Sequence, residues 1–144
     1  MSLEPLTAYQ QRNKKINFII KNFKWVMLVF GTVTFTMFYG LFAPQAALES
    51  MFGASFDGRL ETIVVRSWST LVGLMGAMLI YGAYSVQNRI FSISIVALSK
   101  VIFVSLILLY GQAFIGKVGM AIIMDCIFIT LSGYYLIAIV MKQK

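Results

Sequence analysis

Long apolar stretches separated by short polar segments run through most of this chain. Four of them, at about residues 25–43, 63–84, 90–110 and 120–141, consist almost entirely of hydrophobic and small side chains. About 20 apolar residues at 1.5 Å per residue cross the roughly 30 Å hydrocarbon core of a bilayer. The pattern therefore predicts an all-α fold, a four-transmembrane-helix antiparallel bundle that forms a single domain over residues 1–144.

Two shorter helical patterns lie beside the first stretch. From Thr7 to Lys24 apolar residues recur at helical spacing while lysines fill the other faces, which predicts an amphipathic N-terminal helix. Such a helix suits the inner membrane surface or a partner's groove, or it is a positive flank that only fixes orientation. Pro44 and Gly53 bound a segment that we expect to form a short outer-loop helix.

The composition agrees with a chain that lipid surrounds. The 144 residues are 60% hydrophobic and 12% charged, whereas a soluble domain has about 25% charged residues. The net charge of +7 comes mainly from residues beside the apolar stretches, so we expect no nucleic-acid partner. The cations predicted inside are Arg12, Lys14, Lys15, Lys21, Lys24, Arg89, Lys142 and Lys144, and those outside are Arg59, Arg66 and Lys117. This bias predicts an integral protein of a bacterial inner membrane with both termini in the cytoplasm.

Few side chains here are suited to catalysis. The chain has no histidine, one cysteine and five scattered acidic residues, so it lacks the commonest metal ligand and the usual general base. The sequence predicts no catalytic residue, no metal site and no cofactor of its own, and it favours a protein that is not an enzyme. A lipid or a quinone remains as a ligand that it could bind. Cys126 is predicted to be a small core residue.

Besides Arg66 near the outer end of the second stretch, two charged residues lie inside the apolar stretches. Lys100 falls about 15 Å from either end of the third stretch, and Asp125 about 8–10 Å below the outer end of the fourth. Because an unpaired charge at that depth is costly, we expect a buried Lys100–Asp125 pair. Thr36 and Tyr39 fall at similar depths and are expected to extend it into a polar network. Arg66 is a competing partner for Asp125.

The polar pair and the small residues each allow two interpretations. The pair is either a structural clamp or inter-subunit contact, or a ligand or proton site. Arg66 either extends to the outer lipid headgroups or pairs with an acid of the loop, or it faces the bundle, because it shares a helix face with small residues of the second stretch. These small residues let helix backbones approach closely, and they are expected to pack within the bundle: Ser69, Gly73, Gly76 and Ala77.

Several short motifs suggest a family. The sequence GLFAP at 40–44 closes the first stretch, FG at 52–53 lies in the outer loop, and Arg66 precedes VGLMGAMLIYGA at 72–83. An inner Arg89 follows. This pattern resembles the DoxX-like and BphX-like small four-helix integral membrane proteins. The resemblance implies a four-helix bundle, with accessory or quinone-reactive subunits among its relatives, and it matches Arg66 to the family's arginine at the second span.

Three functions follow from these features. The first is a non-catalytic accessory or assembly subunit of a larger membrane complex, whose partners are lipids and other membrane subunits or a second copy. The second is a small oligomeric transporter or channel that uses the Lys100–Asp125 pair. The third is a quinone-associated redox subunit with Arg66 or Lys100 at the quinone carbonyl. Lys100 has no counterpart in the DoxX-like pattern.

Overall fold

The fold is a bundle of four long helices with one short helix across an end. The computed structural model describes the backbone of residues 4–143 and the side chains of residues 10, 11, 14 and 16–142. Its α-helices are α1 (Glu4–Phe35), α2 (Pro44–Phe52), α3 (Arg59–Tyr84), α4 (Val86–Tyr110) and α5 (Ile115–Gln143). All but α2 are long and apolar enough to cross a membrane. The predicted all-α fold with four such helices is confirmed.

The four long helices surround one apolar core. Helix α1 packs against α3 and α5, α3 also packs against α4, and α4 against α5. We call the end with the chain termini and the α3–α4 connection the terminal end, and the end with α2 the loop end. The buried core contains Phe23, Met27, Leu79, Ala83, Ile93, Val96, Phe128 and Tyr135. It is contributed by all four long helices and lies nearer to the terminal end.

Helix α1 joins the basic lead-in and the first apolar stretch into one element. Its 32 residues run without a break through Lys24 and Trp25, where the sequence contains no proline, glycine or capping residue that would end a helix. Ile16 and Phe23 are buried, so the lead-in belongs to the same packed face as the span. The N-terminal helix is therefore a continuation of α1 and not a separate element across the membrane surface.

Small residues bring α1 and α3 into close contact. A Cβ atom placed at Gly76 would lie 2.6 Å from the backbone oxygen of Gly31, and one at Gly73 would lie 2.7 Å from Phe38 Cβ. Ser69, Gly73 and Gly76 are buried, and Ala77 is half-buried. Glycine is needed at these contacts because any side chain would separate the two backbones. Beyond Phe35 the first helix tightens to a 3-10 helix over Thr36–Leu41.

Helix α2 closes the loop end. Pro44 is its first residue, and Gly53 ends it in the left-handed conformation with φ 65°. Phe52 packs against the rings of Trp68 and Phe114, with centroid distances of 5.9 Å in both cases. These contacts join α2 to α3 and to the connection before α5.

Arg89 fixes the α3–α4 hairpin at the terminal end. Ser85 is the single residue between the two helices. The buried Arg89 donates from Nε to the Gly82 carbonyl at 3.2 Å and from Nη2 to the Ala83 carbonyl at 2.7 Å. These carbonyls belong to the last turn of α3, where a helix lacks its own donors and carries partial negative charge. Arg89 thus acts as a helix cap, a role that the count of inner positive charges did not suggest.

Candidate functional site

The structure brings Lys100 and Asp125 together between α4 and α5. Lys100 Nζ donates a hydrogen bond to Asp125 Oδ1. The Lys100 side chain is 14% exposed and that of Asp125 is 12% exposed. Among the described side chains this is the one ion pair with a nitrogen–oxygen separation within 4.0 Å. The two charges of the span interior therefore neutralise each other within one chain.

Helical spacing explains why both side chains point inward. Asp125 lies one turn from buried Phe128 and seven residues from buried Val118 and Ser132, so it shares the inner face of α5. Lys100 lies one turn beyond buried Val96 on α4. Each helix thus presents its single charged residue of the span interior to the bundle.

The ring of Phe128 lies beside the pair and connects it to α1. Lys100 Nζ lies 6.0 Å from the centroid of the Phe128 ring, at the limit of a cation–π contact. The Phe128 ring packs against Phe30 of α1, with centroids 5.2 Å apart. The pair therefore links α4 to α5 directly and to α1 through Phe128.

The chemistry of this arrangement is that of a neutral, largely enclosed ion pair. A lysine ammonium has three donors and a carboxylate can accept several hydrogen bonds, while one hydrogen bond joins them here. In a medium of low dielectric constant the attraction between the charges is strong, but so is the cost of leaving either one alone. Such a pair fixes the register of two helices, and it could also exchange a proton or hold a small ion.

Thr36 and Tyr39 do not join the pair. Thr36 is exposed and donates to the Val33 carbonyl at 2.6 Å, while the Tyr39 hydroxyl lies 2.7 Å from the hydroxyl of Ser50 on α2. Depth along the helix was the reason to include them, but depth does not specify which face a residue occupies. The 3-10 helix that contains both residues directs Tyr39 toward α2.

Thr34 is the polar residue of α1 that lies nearest to the level of the pair on the buried face. Phe23 contacts Tyr135 and Phe30 contacts Phe128, and this antiparallel register continues to place Thr34 opposite Met124, next to Asp125. Thr34 is buried. Thr34 lies seven residues from the buried Met27, whereas Thr36 lies seven residues from the exposed Val29, and the sequence alone does not show which of these two faces is buried.

Arg66 lies away from the bundle interior. Its side chain is exposed on α3, and no carboxylate of the described residues lies within ion-pair distance of it. The small residues that follow it turn their face to α1, whereas Arg66 lies at the edge of that face. The structure therefore places it where it can extend to lipid headgroups or to another chain, and not beside Asp125.

Helix α5 presents small residues on its outer surface. Gly116, Gly119 and Gly133 have no atom within 4 Å of the position that a Cβ would occupy. Cys126 is exposed, so the prediction that it is a core residue is wrong. Thr130 is also exposed, and its hydroxyl donates to the Cys126 carbonyl. Helical spacing puts these five residues on one face, which we call the α5 small-residue face.

Comparisons with family models, with curated proteins and with solved structures find no match to this chain. Within the described residues, no three His, Cys, Asp or Glu side chains are grouped so that they could hold a metal ion. The assignment of function therefore depends on the bundle itself: its buried ion pair, its exposed small residues and its distribution of charge.

Proposed function

We propose that this chain is a small integral membrane protein that serves as an accessory or assembly subunit of a larger membrane complex. The observation that carries this proposal is the α5 small-residue face. In lipid, small residues on a helix surface allow close van der Waals contact with a second helix. Among the residues that the structure describes, no second helix packs against the glycines of this face.

The glycines of the other helices provide the comparison. Gly31, Gly73 and Gly76 lie where α1 and α3 meet, and a Cβ at each would come within 3.0 Å of a neighbouring atom. Gly119 and Gly133 of α5 face open space. A glycine in a helix interior costs about 0.5–1 kcal/mol relative to alanine. Close packing within the bundle offsets this cost at the glycines between α1 and α3. At the two glycines of α5 the contact with a partner helix would offset it.

The partner contact would lie within the membrane. The connections between the long helices are short, and the longest of them contains α2, which packs onto the bundle. The described connections therefore offer little surface outside the bundle on which a partner could dock. The partner is accordingly a transmembrane helix of another subunit or of a second copy.

Two bulky substitutions test the proposal. The tagged protein is extracted from its own host membrane in mild detergent, and its native mass is measured. We expect it to elute with stoichiometric larger chains, and we expect Gly119→Leu with Gly133→Leu to reduce the recovered partner at least tenfold. Thr32→Leu, which places a leucine on the exposed face of α1, is the control for an added apolar side chain outside the α5 small-residue face. Elution of the wild type alone, or a double variant that keeps its partner, contradicts the proposal.

Cells that carry the tagged chain test the orientation that we propose, with both termini in the cytoplasm of a bacterial cell. The described charged side chains at the terminal end are all cations, whereas those at the loop end include both cations and acids. An excess of lysine and arginine marks the cytoplasmic side of a membrane protein. A tag placed after Lys144 should resist protease added to intact cells and should be cleaved once the inner membrane is opened. Cleavage in intact cells contradicts this orientation.

A second candidate function is transport by a small oligomer, which the position of the ion pair favours. A lysine and an aspartate in the middle of a span are typical of ion paths and proton relays. If the pair carries this function, Lys100→Leu and Asp125→Asn should each abolish flux of protons or small anions into proteoliposomes. Flux by either variant at the wild-type rate contradicts it, as does a wild type without flux above empty liposomes.

A further inference from the structure

The outward face of α1 is apolar in the span and becomes basic toward the terminal end. Val29 and Trp25 on this face are exposed and apolar, as expected for contact with lipid tails. The same face continues with exposed residues at helical spacing, namely Lys21, Phe18 and Lys14. The half-buried Lys24 lies at the edge of this face beside Trp25. We call these five residues the basic–aromatic stripe: Lys14, Phe18, Lys21, Lys24 and Trp25.

The position of this stripe follows from the register with α5. Phe30 lies at the level of Phe128, one turn from Asp125. At 1.5 Å per residue, Trp25 lies about 12 Å from the level of the ion pair, Lys21 about 18 Å and Phe18 about 22 Å. Lys100 is ten residues from the end of α4, and Asp125 is ten residues from the beginning of α5, so both lie about 15 Å from the loop end. For Asp125 this is deeper than predicted, because α5 begins at Ile115 and not at Met120. The pair therefore lies near the bilayer centre, and toward the terminal end the hydrocarbon ends about 15 Å away. Trp25 is therefore just inside that boundary, and Lys21 and Phe18 lie at the headgroups.

The described charged side chains at the terminal end are all cations. The described side chains there include Lys14, Lys21, Lys24, Arg89 and Lys142. The described acids are Glu49, Asp57 and Glu61 near the loop end and Asp125 in the ion pair. Glu4, Arg12, Lys15 and Lys144 lie outside the described side chains. A cluster of exposed lysines beside a membrane attracts anionic lipids.

We propose that the basic–aromatic stripe is a binding site for the phosphate headgroups of anionic lipids. Its aromatic residues are placed to lie among the acyl chains and headgroups, as interfacial tryptophan and phenylalanine do. Lys24 Nζ lies 5.2 Å from the Trp25 ring, which holds this ammonium at the boundary between hydrocarbon and headgroup. Exposed cations at that level fit a lipid whose phosphate is not balanced by its own ammonium.

The uninterrupted helix gives this surface a fixed geometry. Because α1 continues from the span into the stripe, the lysines keep their positions relative to the bilayer. Ile16 and Phe23 on the opposite face are buried against the bundle, so the lysine face cannot turn inward. The stripe is therefore held toward lipid before any lipid binds.

The test compares two lipids on the full-length protein. Delipidated protein in mild detergent is mixed with equimolar phosphatidylglycerol and phosphatidylcholine, and bound lipids are counted by native mass spectrometry. We expect at least a tenfold preference for phosphatidylglycerol. The triple variant Lys14→Gln, Lys21→Gln, Lys24→Gln should bind the two lipids within twofold of each other. The matched control removes three exposed cations at the loop end, by Arg59→Gln, Arg66→Gln, Lys117→Gln, and should keep the preference.

Several results would contradict a lipid site at the stripe. Equal binding of the two lipids by the wild type overturns it and leaves the stripe for an acidic protein segment. A preference that survives in the stripe variant, or that both triple variants lose equally, also overturns it. Displacement of the bound lipid by 10-fold excess inorganic phosphate would show a site for free phosphate and overturn lipid specificity, whereas retention of the lipid supports the proposal. The far-ultraviolet circular dichroism spectrum of each triple variant is compared with that of the wild type, and equal helical signals are expected because the substituted side chains lie on the bundle surface.

Discussion

Replacing Asp125 with leucine is expected to lower the free energy of unfolding by about 3–5 kcal/mol. The substitution leaves the Lys100 ammonium enclosed among apolar and aromatic side chains without its counter-ion. Lys100→Met should have a comparable effect, because it leaves the carboxylate alone. Unfolding by sodium dodecyl sulfate in mixed micelles, followed by circular dichroism, measures both variants.

The double variant Lys100→Met, Asp125→Leu tests whether the bundle needs the ion pair itself or only the absence of an unpaired buried charge. Well-packed apolar residues can replace a buried ion pair at little cost, so we expect the double variant to recover most of the stability that either single variant loses. Cys126→Ala, next to Asp125 but exposed, is the control and should change stability by less than about 0.5 kcal/mol. Single variants as stable as the wild type would show that the pair does not hold α4 against α5.

Gly76→Ala is expected to lower the free energy of unfolding by about 3 kcal/mol, the upper part of the range for overpacking. The added methyl group would lie 2.6 Å from the Gly31 carbonyl oxygen and 2.7 Å from Phe35 Cα. Both are backbone atoms of α1, so no side-chain rotation relieves the overlap. The same detergent titration measures the loss, and separation of α1 from α3 is the expected structural change.

Gly133→Ala is the matched control for Gly76→Ala. It introduces the same methyl group into a helix, at a position where no atom lies within 4 Å. Because alanine favours a helix more than glycine, the isolated chain should gain about 0.5–1 kcal/mol. Equal effects of the two substitutions would contradict the conclusion that Gly76 is closely packed against α1 while Gly133 is not packed.

The apolar pattern predicted the four long helices because a span is recognised from the length and hydropathy of its sequence alone. The predicted second and third spans end at Tyr84 and Tyr110, as helices α3 and α4 do. The helices begin earlier than predicted, at Arg59 and Val86, since polar residues in a first turn remain helical outside the hydrocarbon. Pro44 and Gly53 marked α2 because each has a backbone preference that acts locally.

The assignment of faces was less predictable from the sequence. The ion pair could be proposed because two buried charges each need a partner, and the structure places Lys100 against Asp125. Thr36 and Cys126 were placed by depth and by residue size, and both are exposed. Which face of a helix meets its neighbour depends on the arrangement of all four helices. The capping of α3 by Arg89 likewise depends on the conformation of a single connecting residue.

The one-residue connection at Ser85 has a consequence for biogenesis. Arg89 binds carbonyls only six and seven positions earlier in the chain, so the α3–α4 hairpin can close as soon as its first turns have been translated. At that stage Asp125 has not yet been synthesised. Lys100 consequently lacks its counter-ion until α5 follows. Because an unpaired charge inside a bilayer is costly, we expect α4 to settle fully into the bilayer only when α5 is present.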